Sequence, residues 1–207
     1  MKSLFVTIML LLFLAPPCFA AAPNHAKLRP YTGIGVLVLS VAPGVEGERP
    51  EPLYLYHEPA ISRLGELNSG TVPPYEWVFG MSSMKLLLIV TSRKGNWLRV
   101  VYDDAGREGW LMVQRQGAFQ PWESFFKGQS ARLLPGLHKQ FYQLYQQPGS
   151  GHVSQLGPKK GFKIIKLEED WALVMPDMNS LGWLRWRDED GRLLIGLERV
   201  ITIHKQM

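Results

Sequence analysis

Cysteine is nearly absent from this chain, which has Cys18 alone among its 207 residues. Cys18 lies within residues 1–20, where Lys2 is followed by an apolar run, two prolines and a small-x-small ending at Ala20, the layout of a secretory signal peptide. Cleavage is expected after Ala20, with Ala22 as the second choice. The remaining chain then has no thiol, which excludes disulfides, thiolate metal ligands and a cysteine nucleophile.

Long hydrophobic runs are also lacking. The N-terminal apolar run covers residues 4–15, which is shorter than the roughly 20 residues that a membrane-spanning helix needs. We therefore expect secretion across the inner membrane to the periplasm or cell wall, with no membrane association after signal cleavage.

Blocks of like charge are missing as well. The formal net charge is +5, and removal of residues 1–20 takes away Lys2 and leaves +4. Because the charges are scattered and form no basic stripe, nucleic acid is not an expected partner. A mild basic excess is consistent with an anionic envelope polymer.

Motifs for catalysis and metal binding are not found. The five histidines form no His-x-x-x-His or His-Glu-x-x-His pair, and Ser82 lacks the second glycine of a serine-nucleophile elbow. Acidic clusters at 168–170 and 188–190 are interpreted as solvated turns rather than as facing carboxylates of a glycosidase. The sequence therefore predicts a non-enzymatic protein with no catalytic residue, metal or cofactor; a peptidoglycan hydrolase with an unrecognised site is a weaker alternative.

The chain does contain an internal repeat. Residues 97–111 and 171–184 both read Trp-x-x-Val-x-x-Asp followed by Gly-Trp-Leu. Upstream, residues 55–59 match residues 144–148 through Leu-Tyr-x-x-Pro. So many ordered matches indicate two copies of one unit.

The two copies differ mainly by an insertion in the first. Aligning Leu64-Gly65 with Leu156-Gly157 places the extra residues at about 71–86, a stretch rich in aromatic side chains. The second copy has no counterpart of this stretch. It is expected either to cover the groove of the first copy or to cap an exposed edge.

Both copies are composed of short segments rich in β-branched and aromatic residues, separated by turn residues, which predicts antiparallel strands. The order of these segments, ending in Gly-Trp-Leu, resembles the bacterial SH3 domain (SH3b). The predicted fold is all-β, with two small SH3-like antiparallel β-barrels in tandem after a signal peptide. The units are predicted at 31–117 and 131–200, with a docked aromatic connector at 118–130.

Alternation along the strands separates core residues from candidate binding residues. Leu55, Val100, Leu144 and Val174 are predicted to point into the core, and the tryptophans of the two Gly-Trp-Leu motifs are predicted to be packing residues. Outward-facing or inserted aromatic side chains are the predicted ligand contacts, because a flat apolar face with a polar edge suits sugars and extended peptides. These are Tyr56, Tyr75, Trp77, Trp97, Tyr145 and Trp171.

The resemblance to SH3b domains implies a ligand in the cell envelope: a cell-wall peptide or glycan, above all the peptidoglycan stem peptide, or an envelope protein. The first copy, which carries the insertion, is expected to supply most of the contact. An alternative of a different class is a structural or assembly subunit of an envelope complex, whose grooves are occluded by the insertion and the connector.

Overall fold

The computed structural model describes residues 28–40, 52–68, 70–73, 75–80, 85–112 and 117–198. The predicted signal peptide and Ser82 lie outside these residues. Strands dominate the described part of the chain and form two antiparallel sheets of seven strands each.

The first sheet is formed by the N-terminal half of the described chain. Its strands are β1 (Gly35–Ser40), β2 (Tyr54–Glu58), β3 (Ile61–Glu66), β4 (Lys85–Lys94), β5 (Trp97–Val101), β6 (Glu108–Met112) and β7 (Gly117–Pro121). Two short helices, Glu76–Phe79 and Trp122–Phe126, precede β4 and follow β7.

The second sheet is formed by the C-terminal half. Its strands are β8 (Ser130–Leu133), β9 (Gln143–Gln147), β10 (Ser150–Gln155), β11 (Gly161–Glu168), β12 (Trp171–Asp177), β13 (Ser180–Arg185) and β14 (Ile195–Leu197). A 3-10 helix, Lys139–Tyr142, precedes β9.

The two sheets have the same topology. The strand order is β3-β2-β6-β5-β4-β1-β7 in the first and β10-β9-β13-β12-β11-β8-β14 in the second, so each strand has its counterpart seven strands later. The predicted all-β class is confirmed, and the two sheets follow one another along the chain.

The prediction of closed barrels is wrong. Among the described residues, the ladders end at β3 and β7 in one sheet and at β10 and β14 in the other. All six residues of β10 are exposed, while β14 packs against the Glu76–Phe79 helix. In the second sheet, the two end strands therefore lie in different surroundings.

Hydrogen bonds correct the upstream alignment of the two copies. The backbone N–H of Leu67 donates to the carbonyl oxygen of Leu53 at 2.7 Å, and that of Leu156 donates to the carbonyl oxygen of Tyr142 at 2.7 Å. Both bonds lie at the same end of the β2–β3 and β9–β10 hairpins. Leu67, and not Leu64, is therefore the counterpart of Leu156.

Apolar residues on both faces of β1 and β4 explain the uninterrupted apolar run in β4. Leu37 and Leu88 are buried in a core that belongs to the first sheet. Val36 and Leu87, which point the opposite way, are buried in a larger core shared with the second sheet. A strand that is buried on both faces reads as a continuous hydrophobic run.

Aromatic rings form the centre of the larger core. The Trp122 ring stacks on those of Phe79 and Phe126, with centroids 6.0 and 5.2 Å apart, and lies 6.0 Å from that of Trp186. The indole N–H of Trp122 donates to the carbonyl oxygen of Thr32 at 2.7 Å, which satisfies its polar atom in this buried setting. The stretch predicted as a connector thus contributes β7 to the first sheet and three buried rings to the larger core.

The insertion of the first copy packs against the second sheet. Val78 and Phe79 are 0% and 2% exposed, and the Arg132 side chain donates to the carbonyl oxygen of Trp77 at 2.9 Å. A Cβ placed on Gly196 of β14 would lie 2.3 Å from the carbonyl oxygen of Val78. Glycine is required here because two backbones approach closely.

The segment before β1 also joins the second half of the chain. The backbone N–H of Thr32 donates to the carbonyl oxygen of Gly191 at 2.8 Å, and that of Leu193 donates to the carbonyl oxygen of Pro30 at 3.0 Å. Arg29 forms an ion pair with Asp188 at 2.7 Å. These contacts and the larger core connect the two sheets through several separate parts of the chain.

Candidate functional site

Each sheet carries three aromatic side chains on its outward side. They lie on β2, β5 and β6 in the first sheet and on the equivalent strands β9, β12 and β13 in the second. We call Tyr56, Trp97 and Trp110 the first aromatic face, and Tyr145, Trp171 and Trp183 the second aromatic face. Tyr56 lies beside Trp110 and Tyr145 lies beside Trp183 in the strand register. All six are partly exposed.

The tyrosine and the first tryptophan of each face meet at right angles. The rings of Tyr56 and Trp97 have centroids 5.4 Å apart at 90°, and those of Tyr145 and Trp171 have centroids 5.5 Å apart at 86°. Edge-to-face pairs of this kind stabilise by about 0.5–1.5 kcal/mol beyond the area that they bury. The structure therefore brings four of the six predicted ligand contacts together as two matching pairs.

Strand alternation explains why these rings point outward. Leu55 and Leu144 are each 4% exposed, so the tyrosine that follows each of them points to the other side. Val100 and Val174 are fully buried. The four predicted core positions are confirmed.

The glycine of Gly-Trp-Leu is explained by crowding beneath it. A Cβ on Gly109 would lie 3.2 Å from Leu64 and 3.4 Å from Leu55, and one on Gly182 would lie 3.2 Å from Leu144. Glycine and leucine thus face the core, and the tryptophan between them faces outward. Trp110 and Trp183, predicted to be packing residues only, belong to the aromatic faces, and the alternation within the motif could have identified them.

The second aromatic face borders a pocket of about 200 Å³. The pocket is lined by Gln140, Phe141, Gln143, Tyr145, Trp171, Arg185 and Glu189. The Tyr145 hydroxyl donates to the Gln143 side-chain oxygen at 2.6 Å. The Arg185 guanidinium lies 5.2 Å from the centre of the Trp171 ring, and the nearest nitrogen–oxygen distance between Arg185 and Glu189 is 3.8 Å. Gln143 and Arg185 are not among the predicted ligand contacts, because neither residue is part of the repeated motif.

The first aromatic face has different neighbours at the matching positions. Met112 pairs with Trp97 in the ladder, as Arg185 pairs with Trp171, and Met112 is 44% exposed. Tyr54 stands two residues before Tyr56, where the second copy has Gln143, and the Arg63 guanidinium lies 3.5 Å from the Tyr54 ring centre. The aromatic pair is thus shared, and the groups around it are not.

Tyr75 and Trp77 lie in the insertion and belong to neither aromatic face. Both are partly buried and pack against the larger core, and the Tyr75 ring meets that of Phe79 with centroids 6.2 Å apart. Burial, followed by the charge of Asp104, raises the pKa of Tyr75 to about 12. Their role in ligand contact stays a prediction.

Each of the two acidic clusters contributes carboxylates to ion pairs. Asp170 contacts Arg187 at 2.5 Å. Asp188 is buried, so the interpretation of its cluster as a solvated turn is wrong for this residue. Burial by itself would raise the pKa of Asp188, but hydrogen bonds from the Arg192 backbone N–H and the Arg29 side chain hold it below its usual range.

Two further features are absent from the residues that the structure describes. In this part of the chain, no group of three or more His, Cys, Asp or Glu side chains could hold a metal ion. Nor does any helix there have the length and apolar character to cross a membrane.

Comparisons with known proteins give matches among solved structures. No family model matches the chain, and no curated protein matches it. Among solved structures, the chain is similar to Endolysin LysPBC5 CBD, with 12% identity, 83% of this chain and 100% of that chain covered, and a TM-score of 0.25.

Proposed function

We propose that this chain is an exported, non-enzymatic module that binds a cell-envelope component, either the peptidoglycan stem peptide or an envelope protein. The observation that carries the proposal is the right-angled Tyr–Trp pair found at the same place on both sheets. Partly exposed aromatic rings beside polar groups are typical of sites for sugars and extended peptides. The signal-peptide layout of residues 1–20 supports export to the periplasm or cell wall.

The position of the aromatic faces supports a role in contact with a partner. Contacts between the two sheets involve β1, β4, β8, β14 and the short helices. The aromatic faces lie on β2, β5 and β6 and on their counterparts β9, β12 and β13. Packing of the two sheets against each other therefore leaves these rings partly exposed.

The second copy is proposed to supply most of the contact, which revises the expectation from the sequence. The pocket beside Tyr145 and Trp171 combines three aromatic rings with amide, guanidinium and carboxylate groups. A few polar groups at the edge of an aromatic surface fix the orientation of a ligand. The insertion, which led to the expectation for the first copy, is largely engaged in packing against β14.

Co-sedimentation with purified peptidoglycan sacculi tests the proposal. The chain without residues 1–20 is mixed with sacculi at about 0.1 M and about 1 M salt, where the Debye length falls from about 10 Å to about 3 Å. Binding through the aromatic faces is expected to survive the higher salt. Binding that disappears at high salt would reduce the interaction to attraction between a basic protein and an anionic polymer.

Paired variants locate the contact. Replacing Tyr145 and Trp171 by alanine is expected to weaken binding at least tenfold, and replacing Tyr56 and Trp97 is expected to weaken it less. Met178→Ala is the control, because Met178 is a 94% exposed apolar side chain outside both faces. Unchanged binding by a folded Tyr145/Trp171 variant would contradict the site, and absence of binding by the unaltered chain would redirect the search to an envelope protein.

A further inference from the structure

The two aromatic faces differ most at one position of the last strand beside the Tyr–Trp pair. Arg185 of β13 lies opposite Trp171, and Met112 of β6 lies opposite Trp97. Both side chains are on the same outward side as the aromatic rings, since Leu184 and Leu111 before them are buried. The second face thus carries a fixed positive charge where the first carries a thioether.

Two residues of the second pocket, Gln143 and Arg185, offer hydrogen-bond donors to a ligand. The Gln143 side-chain oxygen accepts the Tyr145 hydroxyl, and its NH2 group can donate to a ligand. Arg185 lines the same pocket, and its guanidinium has five N–H donors and no acceptor. A ligand that satisfies both residues must present acceptor oxygens.

Glu189 is the acidic neighbour of Arg185, and their contact is loose. Their nearest nitrogen–oxygen distance is 3.8 Å, and the Glu189 side chain is 86% exposed, whereas that of Arg185 is 29% exposed. Exposed ion pairs at such distances contribute little to stability. Arg185 is held over Trp171 and can exchange Glu189 for another carboxylate with little loss.

We propose that the second aromatic face selects a ligand that bears a carboxylate, with Arg185 as the specificity-determining residue. The proposal rests on the proposed binding function of this face. A ligand carboxylate replaces Glu189 on the Arg185 guanidinium, accepts from the Gln143 amide and lies beside the Trp171 ring. The first face, with Met112 and Tyr54 at the matching places, lacks this selectivity.

The shared chemistry is a carboxylate on a peptide or on a sugar acid, and the probes separate these sources. Soluble peptidoglycan fragments are divided into peptides and glycan strands, and half of each pool has its carboxylates converted to methylamides. Binding of the four pools to the chain without residues 1–20 is followed by calorimetry. One of the two free-carboxylate pools is expected to bind at least tenfold more tightly than its methylamide counterpart, since hydrogen bonds between charged groups are the stronger class.

Variants assign the preference to Arg185. Arg185→Met, which introduces the residue found in the first copy, is expected to abolish the preference for free carboxylate. Arg185→Lys should retain part of it. Glu189→Gln should tighten binding of the free-carboxylate pool by a few fold, because a competing carboxylate is removed. Arg99→Met is the matched control, since Arg99 is an exposed arginine of the first sheet, paired with Glu108 at 2.8 Å.

The outcomes distinguish this inference from the function on which it rests. Equal binding of the free and methylamide pools by a chain that still binds sacculi would overturn the carboxylate proposal alone. An unchanged preference in folded Arg185→Met, or an equal loss in Arg99→Met, would overturn the role of Arg185. Failure to bind sacculi and all four pools would overturn the carboxylate proposal together with peptidoglycan as the proposed ligand, and would leave an envelope protein as the partner.

Discussion

Replacing Gly196 by alanine should separate the insertion of the first copy from the second sheet. The added Cβ would lie 2.3 Å from the carbonyl oxygen of Val78 and 2.9 Å from the Leu134 side chain. The first of these neighbours is backbone, so a rotamer change cannot relieve the contact. Restoring an ordinary separation requires the insertion and β14 to move apart by about 1 Å, which forfeits roughly a quarter to a half of the contact energy at that interface.

The size of the effect follows from what this interface buries. Val78 and Phe79 are 0% and 2% exposed, and burial of each such side chain stabilises by about 1.5–3 kcal/mol. Losing a quarter to a half of that for two residues gives about 1–3 kcal/mol, which is also the usual range for an overpacked core. For a chain of this size the melting temperature should fall by roughly 2–12 °C.

Thermal and urea denaturation of Gly196→Ala measure this loss. Gly157→Ala is the control, because a Cβ on Gly157 meets nothing within 4 Å, and its stability should change by no more than about 0.5 kcal/mol. If Gly196→Ala were as stable as the control, the insertion would not lie on β14 in solution, and the account of the shared core would be refuted.

Three further predictions concern single residues. The pKa of Tyr75 is raised to about 12 in the folded chain, so the Tyr75 hydroxyl ionises first in the unfolded chain. Its contribution to the free energy of unfolding is therefore complete below about pH 10 and is lost as the pH rises towards 12. Tyrosinate absorbance should show a late-titrating group that is absent in Tyr75→Phe. The pKa of Asp188 is lowered in the folded chain, so its carboxylate stabilises the fold above the unfolded pKa of about 4, and this stabilisation is lost as the pH falls through the folded pKa. The difference in stability between wild type and Asp188→Asn, read from urea midpoints, should therefore narrow in acid. Glu169 and Gly95 occupy equivalent positions in the hairpin turns of the two copies, with φ of 47° and 60°. Glu169→Gly should raise the free energy of unfolding measured in urea, and Gly95→Ala should lower it by about 1 kcal/mol; opposite signs would show that the left-handed backbone of Glu169 carries no strain.

The repeat could be identified from the sequence because the residue types of its motif are determined by local strand geometry. In Trp-x-x-Val and Gly-Trp-Leu, each residue type is required by the side of the strand on which it lies. Val100 and Val174 face the core, and the glycines make room for the leucines beneath them. Alternation along a strand acts over two or three residues, so the sequence was sufficient to assign the four core positions and the outward direction of the tyrosines and tryptophans. That these rings meet as pairs follows only from the structure.

The surface against which the insertion packs could not be predicted from the sequence, because the residues that it contacts lie in distant parts of the chain. Phe79 packs against Trp122, and the Val78 backbone lies against Gly196, more than a hundred residues later. Nothing in the local pattern of the insertion distinguishes a cover for its own sheet from a contact with the other. The misaligned Leu64 has a similar cause, since the hydrogen bond that identifies Leu67 joins two strands.

The way in which the insertion packs also affects whether a further copy could be added to this architecture. In an extendable array, each repeat presents to the next repeat the same surface that it receives from the previous one. Here the surface on β14 of the second copy is covered by a segment that the second copy does not itself contain. A third copy made by duplicating the second would lack that cover and would leave its own β14 surface exposed.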